Sequence, residues 1–363
     1  MKSKQIVCIL WVALLALMTF ACAAKETTPS TADAPTTSAV TENAAQSAAT
    51  ETPTQQPDQS AAETDTASAT SISTENTAPV RVAALAGPTG IGLTYLLKLS
   101  DAYTLDLFTA PDQVTAKILS GDVDIAAVPI NLASVLYNKT EGKVAVIAVN
   151  TLGVLYFLEN GDTIHSVQDL AGKTIYATGQ ASTPQYILEQ ILAQNDLEEK
   201  VTVEYLADNT ELIGKLTAGE AEVALLPEPH VSIACAQSEK VHIALSANEL
   251  WQAHNEGTLV QGVYIVRRDY LDAHKEAVDQ FLLDAAASAE KVLTEENAPA
   301  AVVEMGIIGK EPIAKRAIPN CNIVLKRGAE MQSLVSDMLT VLHKANPKSV
   351  GGNLPDTEFY YVP

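Results

Sequence analysis

From about residue 80 onward the chain alternates between two hydrophobic rhythms. Short apolar runs cover Val80–Ala86, Thr104–Thr109, Asp124–Val128, Val144–Asn150, Thr174–Ala177, Val201–Leu206 and Val241–Leu245, most of them bounded by Gly, Pro, Ser or Asn. Runs of this length between turn signals predict buried strands of a largely parallel sheet. Between them, Ile91–Leu99, Gln113–Leu119, Pro184–Gln194 and Thr210–Thr217 place apolar residues at helical spacing. Thr183 is expected to cap the Pro184 helix, and Asp269 a later one, with Pro184 at a position that tolerates a missing N–H. Longer helices are predicted over Lys275–Thr294, Ala300–Met305 and Ala329–Lys344. Strand and helix in alternation give an α/β fold.

One pattern is written twice. Lys117–Pro129 aligns without a gap on Lys215–Pro227. Each copy is a helix end, a Gly, an acidic turn, a short apolar run and a Pro. Gly just past a helix is the usual left-handed cap. Two similar α/β lobes are therefore expected, with a cleft between them beyond the C-terminal strand ends, where such sheets bind ligands. Residues 79–157 would open lobe one, 158–263 form lobe two, and 264–363 return to lobe one with the C-terminal helices. Extended crossings near 153–160 and 258–266 would make the hinge. The end of the chain, Gly351–Pro363, is irregular; Phe359, Tyr360 and Tyr361 either pack on a lobe or fray.

The N-terminal pattern is different. Lys2 and Lys4 precede a nearly continuous apolar stretch from Ile6 to Phe20. It is short for a membrane span and has the layout of a secretory signal, residues 1–21. Thr19-Phe20-Ala21-Cys22 resembles a bacterial lipobox, with Thr19 where Leu is usual. Lipidation of Cys22 is favoured over a plain cleaved signal. Residues 22–78 are Thr, Ser, Ala, Glu, Gln and Pro with almost no large apolar side chain, the composition of a disordered tether.

Charge and cysteine content narrow the function. The formal net charge is −21, and a basic footprint for nucleic acid is absent from the sequence. In the folded part only Cys235 and Cys321 remain. Two separate thiols are expected rather than a disulfide, and neither a metal-ligand spacing nor a cofactor motif is present. Glycines 87, 90 and 92 lack dinucleotide-loop spacing.

The segments Ser120–Ala127, Val167–Ile175, Gly179–Pro184 and Ala218–Pro229 resemble the solute-binding lipoproteins of ABC importers, within the NMT1/THI5-like family of nitrate, sulfonate, taurine and thiamine-precursor binders. The resemblance covers about Val80 to Leu342. It implies a two-lobed periplasmic-binding-protein fold of type II, a small-molecule ligand, an ABC permease and ATPase as partners, and a monomer anchored by lipid outside the cytoplasm. Enzymes share this architecture, among them a thiamine-pyrimidine synthase. That reading needs a pyridoxal-phosphate lysine and a cysteine-rich iron motif, and this chain has no such Cys run. A sensory receptor using the same cleft stays open beside transport.

Candidate ligand contacts lie in the loops at strand C-ends: Gly87, Pro88, Thr89 and Gly90; Pro129 and Asn131; Thr151 in the Asn150–Gly153 loop; Thr178, Gln180, Ala181, Ser182 and Thr183; and Glu228 and His230. Two helix starts aimed at one cavity favour a polar or anionic group. None of these loops holds Lys or Arg, which weighs against a strongly anionic ligand. Glu228, between two prolines, is either a solvated turn residue or an acceptor for an N–H-rich or cationic ligand such as an aminopyrimidine. His230 is either a helix-start residue or a contact. The balance leans toward a small nitrogen heterocycle or vitamin precursor over sulfonate or nitrate.

Overall fold

The computed structural model describes residues 78–180, 182–255 and 257–363. The signal, Cys22 and the tether through residue 77 lie outside the described residues, as does Ala181.

In chain order the first lobe opens with β1 (Val80–Leu85), α1 (Pro88–Ile91), α2 (Leu96–Leu99), β2 (Tyr103–Phe108), α3 (Pro111–Ser120), β3 (Ile125–Pro129), α4 (Ile130–Lys139) and β4 (Val144–Leu152). The second lobe holds β5 (Leu155–Asn160), β6 (Thr174–Ala177), α5 (Thr183–Gln194), β7 (Thr202–Tyr205), α6 (Asn209–Ala218), β8 (Val223–Pro227), α7 (His230–Gln237), β9 (Val241–Ser246) and α8 (Ala247–Gln252). Strand β10 (Val260–Arg267) returns to the first sheet. It is followed by α9 (Arg268–Ala273), α10 (Lys275–Thr294), α11 (Ala298–Glu304), α12 (Glu311–Ala317), β11 (Ile323–Lys326) and α13 (Gly328–Ala345).

The first sheet has the order β11-β4-β10-β3-β1-β2, the second β7-β6-β8-β5-β9. Strand β1 is parallel to β2 and β3, and β6 is parallel to β7 and β8. The returning strand β10 runs antiparallel between β3 and β4, and β5 runs antiparallel between β8 and β9. Each sheet is thus parallel where βα units build it and antiparallel where the chain crosses between lobes. Register puts Gly262 opposite Pro129, Val260 opposite Leu152 and Leu155 opposite Pro227. The C-terminal strand edges of both sheets therefore meet at the crossings.

Both crossings are short. Gly153 and Val154 link β4 to β5, and the seven residues between Gln252 and Val260 link α8 to β10. They lie side by side: a Cβ on Gly153 would fall 2.9 Å from Leu259 Cβ and 3.0 Å from Asn248 Cβ. Asn248 Oδ1 accepts from Thr258 Oγ1 at 2.6 Å and from Leu259 N at 3.1 Å.

Burial follows the alternation of the strands. One face of the first sheet packs Val82, Leu93, Leu96 and Tyr264 against Phe281 and Leu282 of α10. The other face shares a core with the second lobe, in which Met331, Val335 and Leu339 of α13 join Tyr186 and Ile187 of α5. The outer face of the second sheet is covered by Leu212 and Leu216 of α6 and by Val231 of α7.

Several local expectations need correction. The helix expected over Ile91–Leu99 is interrupted: α1 ends at Ile91 and α2 spans Leu96–Leu99, with Leu93, Thr94 and Leu96 N–H groups bonded to carbonyls three residues back in the turns between. The strand expected over Val144–Asn150 runs on through Thr151 to Leu152 by pairing with β10, so Thr151 lies in β4 rather than in a loop. Ser182, not Thr183, holds the extended N-cap conformation of α5, so Pro184 falls one position further in. Arg267 precedes α9, and Asp269 lies in its first turn. Cys235 and Cys321 are free thiols. The C-terminal segment packs: Phe359 is buried against Tyr137, and Tyr361 Oη donates to Asp279 at 2.8 Å.

Candidate functional site

On the first lobe the chain leaves β1 through Gly87, whose φ of 143° lies outside the range of L side chains. Pro88, Thr89 and Gly90 then form the first turn of α1 rather than an open loop. Gly90 must be glycine, since a Cβ there would sit 2.6 Å from the Leu85 carbonyl oxygen. This turn is pinned from the end of β4: Asn150 Nδ2 donates to the Thr89 carbonyl and Thr151 Oγ1 to the Pro88 carbonyl, both at 3.3 Å. Beneath them lies Gly262 of β10, where a Cβ would fall 2.5 Å from both Asn150 Oδ1 and Thr89 Cγ2. Asn150 is 2% exposed, and its Oδ1 has no hydrogen-bond partner among the described residues. Pro129 ends β3 opposite Gly262, and Asn131 sits half-buried in the first turn of α4.

On the second lobe three strand ends converge. Thr178, just past β6, is buried and donates from Oγ1 to Asn209 Oδ1 at 2.6 Å. Asn209 Nδ2 faces His230 Nδ1 at 3.5 Å. Burial holds the His230 imidazole below its ordinary pKa, so at neutral pH it is uncharged. Thr178 and His230, distant in sequence, thus share one polar chain through Asn209. The α5 entrance is tight: Gly179 has φ 76°, and Ser182 Oγ donates back to its carbonyl at 2.5 Å. Thr183 is buried and Gln180 is exposed.

Glu228 is not a solvated turn residue. It is 1% exposed. Its Oε2 accepts from Ser232 N at 3.1 Å; its Oε1 accepts from Ser232 Oγ at 2.9 Å and from Asn320 Nδ2 at 2.8 Å. Burial pushes its pKa up, opposed by hydrogen bonds from Asn320 and Ser232 and by the Arg316 charge. Both oxygens are occupied by protein donors.

Sequence reasoning missed Asn209, Gly262 and Asn320 as organising residues. Asn209 follows Asp208, whose carboxylate caps α6; the cap was readable, the neighbour's inward turn was not. Gly262 sits in an apolar run, where an isolated Gly signals close backbone approach. Asn320 carried no signal beyond its turn. Among the described residues there is no group of three or more His, Cys, Asp or Glu able to hold a metal, and no helix long and apolar enough to cross a membrane.

The fold is found in solved structures. An ABC transporter protein from Parabacteroides distasonis is similar at 23% identity and TM-score 0.68, over 78% of this chain and 99% of that one. The periplasmic aliphatic sulphonate binding protein SsuA of Escherichia coli is similar at 16% identity and TM-score 0.64, over 79% and 93%. The periplasmic nitrate-binding protein NrtA of Synechocystis is similar at 12% identity and TM-score 0.51, over 78% and 83%. No curated protein matches the sequence. The model of the family described as NMT1/THI5 like matches residues 105–298, more than half of the chain, and the chain belongs to that family.

Proposed function

We propose that this protein is the extracytoplasmic solute-binding component of an ABC importer, anchored to the bacterial membrane by a lipid on Cys22. It captures a small polar molecule between its lobes, hands it unchanged to a permease and performs no chemistry. The observation that carries this reading is the apposition of two C-terminal strand edges, with the chain passing between the lobes at two crossings. Such an edge pair makes a site that two lobes can close upon.

The ligand proposed is a small nitrogen heterocycle or related vitamin precursor. The cleft segments carry no Lys or Arg, His230 is held neutral by burial, and the polar groups near the cleft are amide and hydroxyl functions of Asn150, Thr178 and Asn209. These suit N–H and ring-nitrogen groups better than a full negative charge. A sulfonate or nitrate is the second reading, favoured by the α5 N-terminus at the cleft and by the names of two similar structures.

The test is a thermal-shift panel of aminopyrimidines, thiamine, riboflavin, sulfonates, nitrate and amino acids, with mass spectrometry of the recovered compound. A heterocycle at a hundred times its dissociation constant should add about 2.7 kcal/mol and be recovered unchanged. Stabilisation by sulfonate or nitrate alone would replace the ligand assignment. Recovery of a converted product would overturn the receptor reading. Partition of the Cys22→Ser variant into the soluble fraction tests the anchor.

A further inference from the structure

The segment from Ile318 to Asn322 follows α12 in the first lobe, yet Asn320 within it is bonded to the second, besides a 3.4 Å bond from its Nδ2 back to the Arg316 carbonyl. Asn320 Nδ2 donates to Glu228 Oε1 at 2.8 Å, and the Asn320 carbonyl accepts from Tyr156 Oη at 2.7 Å. Glu228 follows β8 and Tyr156 lies in β5, both in the second lobe. Two residues on, Asn322 Nδ2 donates to the Gly153 carbonyl at 2.6 Å, and the Asn322 carbonyl accepts from Leu152 N at 3.0 Å. This segment therefore spans the β4–β5 crossing and is bonded on both sides of it.

The second-lobe end of this clasp is rigid. Glu228 N donates to the Val154 carbonyl at 3.0 Å, and Ser232 fixes its carboxylate from the first turn of α7. Burial, then the neighbouring Glu228 charge, push the Tyr156 hydroxyl up to about 12, so it stays a donor. On the other flank the lobes meet through an uncharged bond, Asn346 Nδ2 to Tyr186 Oη at 2.7 Å.

We infer that Glu228 and Asn320 form an interlobe latch that sets how far the two lobes open. Rotation about Gly153 and Val154 carries Glu228 with β8 and Asn320 with α12, so opening must stretch this bond. A buried carboxylate oxygen that loses its donor is costly, and a charge-assisted bond is stronger than a neutral one. Glu228 is thus a positioning residue: it governs closure without touching ligand. The inference rests on the two-lobed geometry and stands whatever the cleft binds.

The test uses the ligand-free protein, with small-angle scattering for its radius of gyration and amide hydrogen exchange for the hinge. Asn320→Ala should expand the protein and speed exchange of the Leu152 and Glu228 amides by about tenfold, the scale of one lost hydrogen bond. Glu228→Leu should do the same. Glu228→Gln keeps one acceptor oxygen but loses the charge and the second acceptor, and should fall between the parent and Glu228→Leu. Tyr156→Phe removes the second bond to Asn320 and the 3.4 Å bond from Asn322 Nδ2, and provides an independent lesion of the same clasp should Glu228→Leu fail to fold. Unchanged size and hinge exchange in Asn320→Ala would overturn the latch. So would an equal acceleration at core amides such as Ile265, which would mark general destabilisation.

Discussion

Gly121 and Gly219 end two different helices with the same backbone twist, φ 77° and ψ 15° in one, φ 79° and ψ 15° in the other. Each follows a Lys that pairs with the acid just past the glycine, Lys117 with Asp122 and Lys215 with Glu220. Each leads into a strand one neighbour away in its own sheet, β3 beside β1 and β8 beside β6. Alanine at either site must adopt the left-handed region, at a cost of about 1 kcal/mol. Gly219→Ala meets nothing closer than Asn160 Nδ2 at 3.9 Å, whereas Gly121→Ala would also displace Arg267 Nη1 from 2.5 Å. Urea midpoints should therefore fall in both variants, and at least as far in Gly121→Ala. A Gly121→Ala variant more stable than the parent would contradict the helix-stop reading.

That repeat shows why the fold was legible. Gly stops, acidic turns and apolar runs are local chemistry, and the two copies announce two lobes without any long-range information. The site was only half legible for the opposite reason. Thr178 and His230 were identifiable as strand-end residues, but their link runs through Asn209, which follows a third strand. Glu228 illustrates the limit: its flanking prolines predict a turn, and nothing local says that Asn320, far along the chain, will satisfy its carboxylate. Val144–Asn150 is legible as a strand, but its continuation through Thr151 to Leu152 depends on pairing with β10, which no local signal announces.

His230 should make stability depend on pH in a definite direction. Burial depresses its folded pKa below the ordinary 6.5, so the unfolded chain binds the proton more readily. The contribution is fully present above about pH 6.5 and is lost as pH falls toward the folded value. Urea midpoints at pH 7.5 and 5.5 check this. The parent should lose more stability over that interval than His230→Gln, whose neutral amide does not titrate. Equal losses in both would show that His230 is not the group responsible.

Glu228 should act with the opposite sign. Its folded pKa is raised above the ordinary 4.5, first by burial and against the hydrogen bonds of Asn320 and Ser232 and the Arg316 charge. Its contribution is fully present below pH 4.5 and is lost as pH rises through the folded value. Glu228→Gln removes this slope, so its stability relative to the parent should improve between pH 4.5 and pH 8. Tyr156, Cys235 and Cys321 feel the same charge and are held protonated by burial, so they do not titrate within that window. A parent-minus-variant difference flat across it would remove Glu228 as the titrating group.

Gly262 connects packing to the cleft most directly. A methyl there would meet Asn150 Oδ1 and Thr89 Cγ2, each at 2.5 Å, in a buried strand that cannot retreat from its neighbours β3 and β4. Overpacking of this kind costs about 1–3 kcal/mol, so Gly262→Ala should lower the melting temperature. It should also weaken ligand binding, because the displaced Asn150 amide no longer holds the Thr89 carbonyl and the first turn of α1 drifts. Trimming the obstruction should recover part of both losses. Thr89→Ser removes the methyl, Asn150→Ala removes the amide, and in either background the cost of Gly262→Ala should shrink, with coupling of about 0.5 kcal/mol or more. Thr89→Ser keeps the Asn150 bond to the Thr89 backbone, so it should rescue affinity as well as stability, while Asn150→Ala should rescue stability alone. Strictly additive losses in both double variants would mean that the strand yields elsewhere and that Gly262 is not what allows Asn150 and Thr89 to approach the sheet.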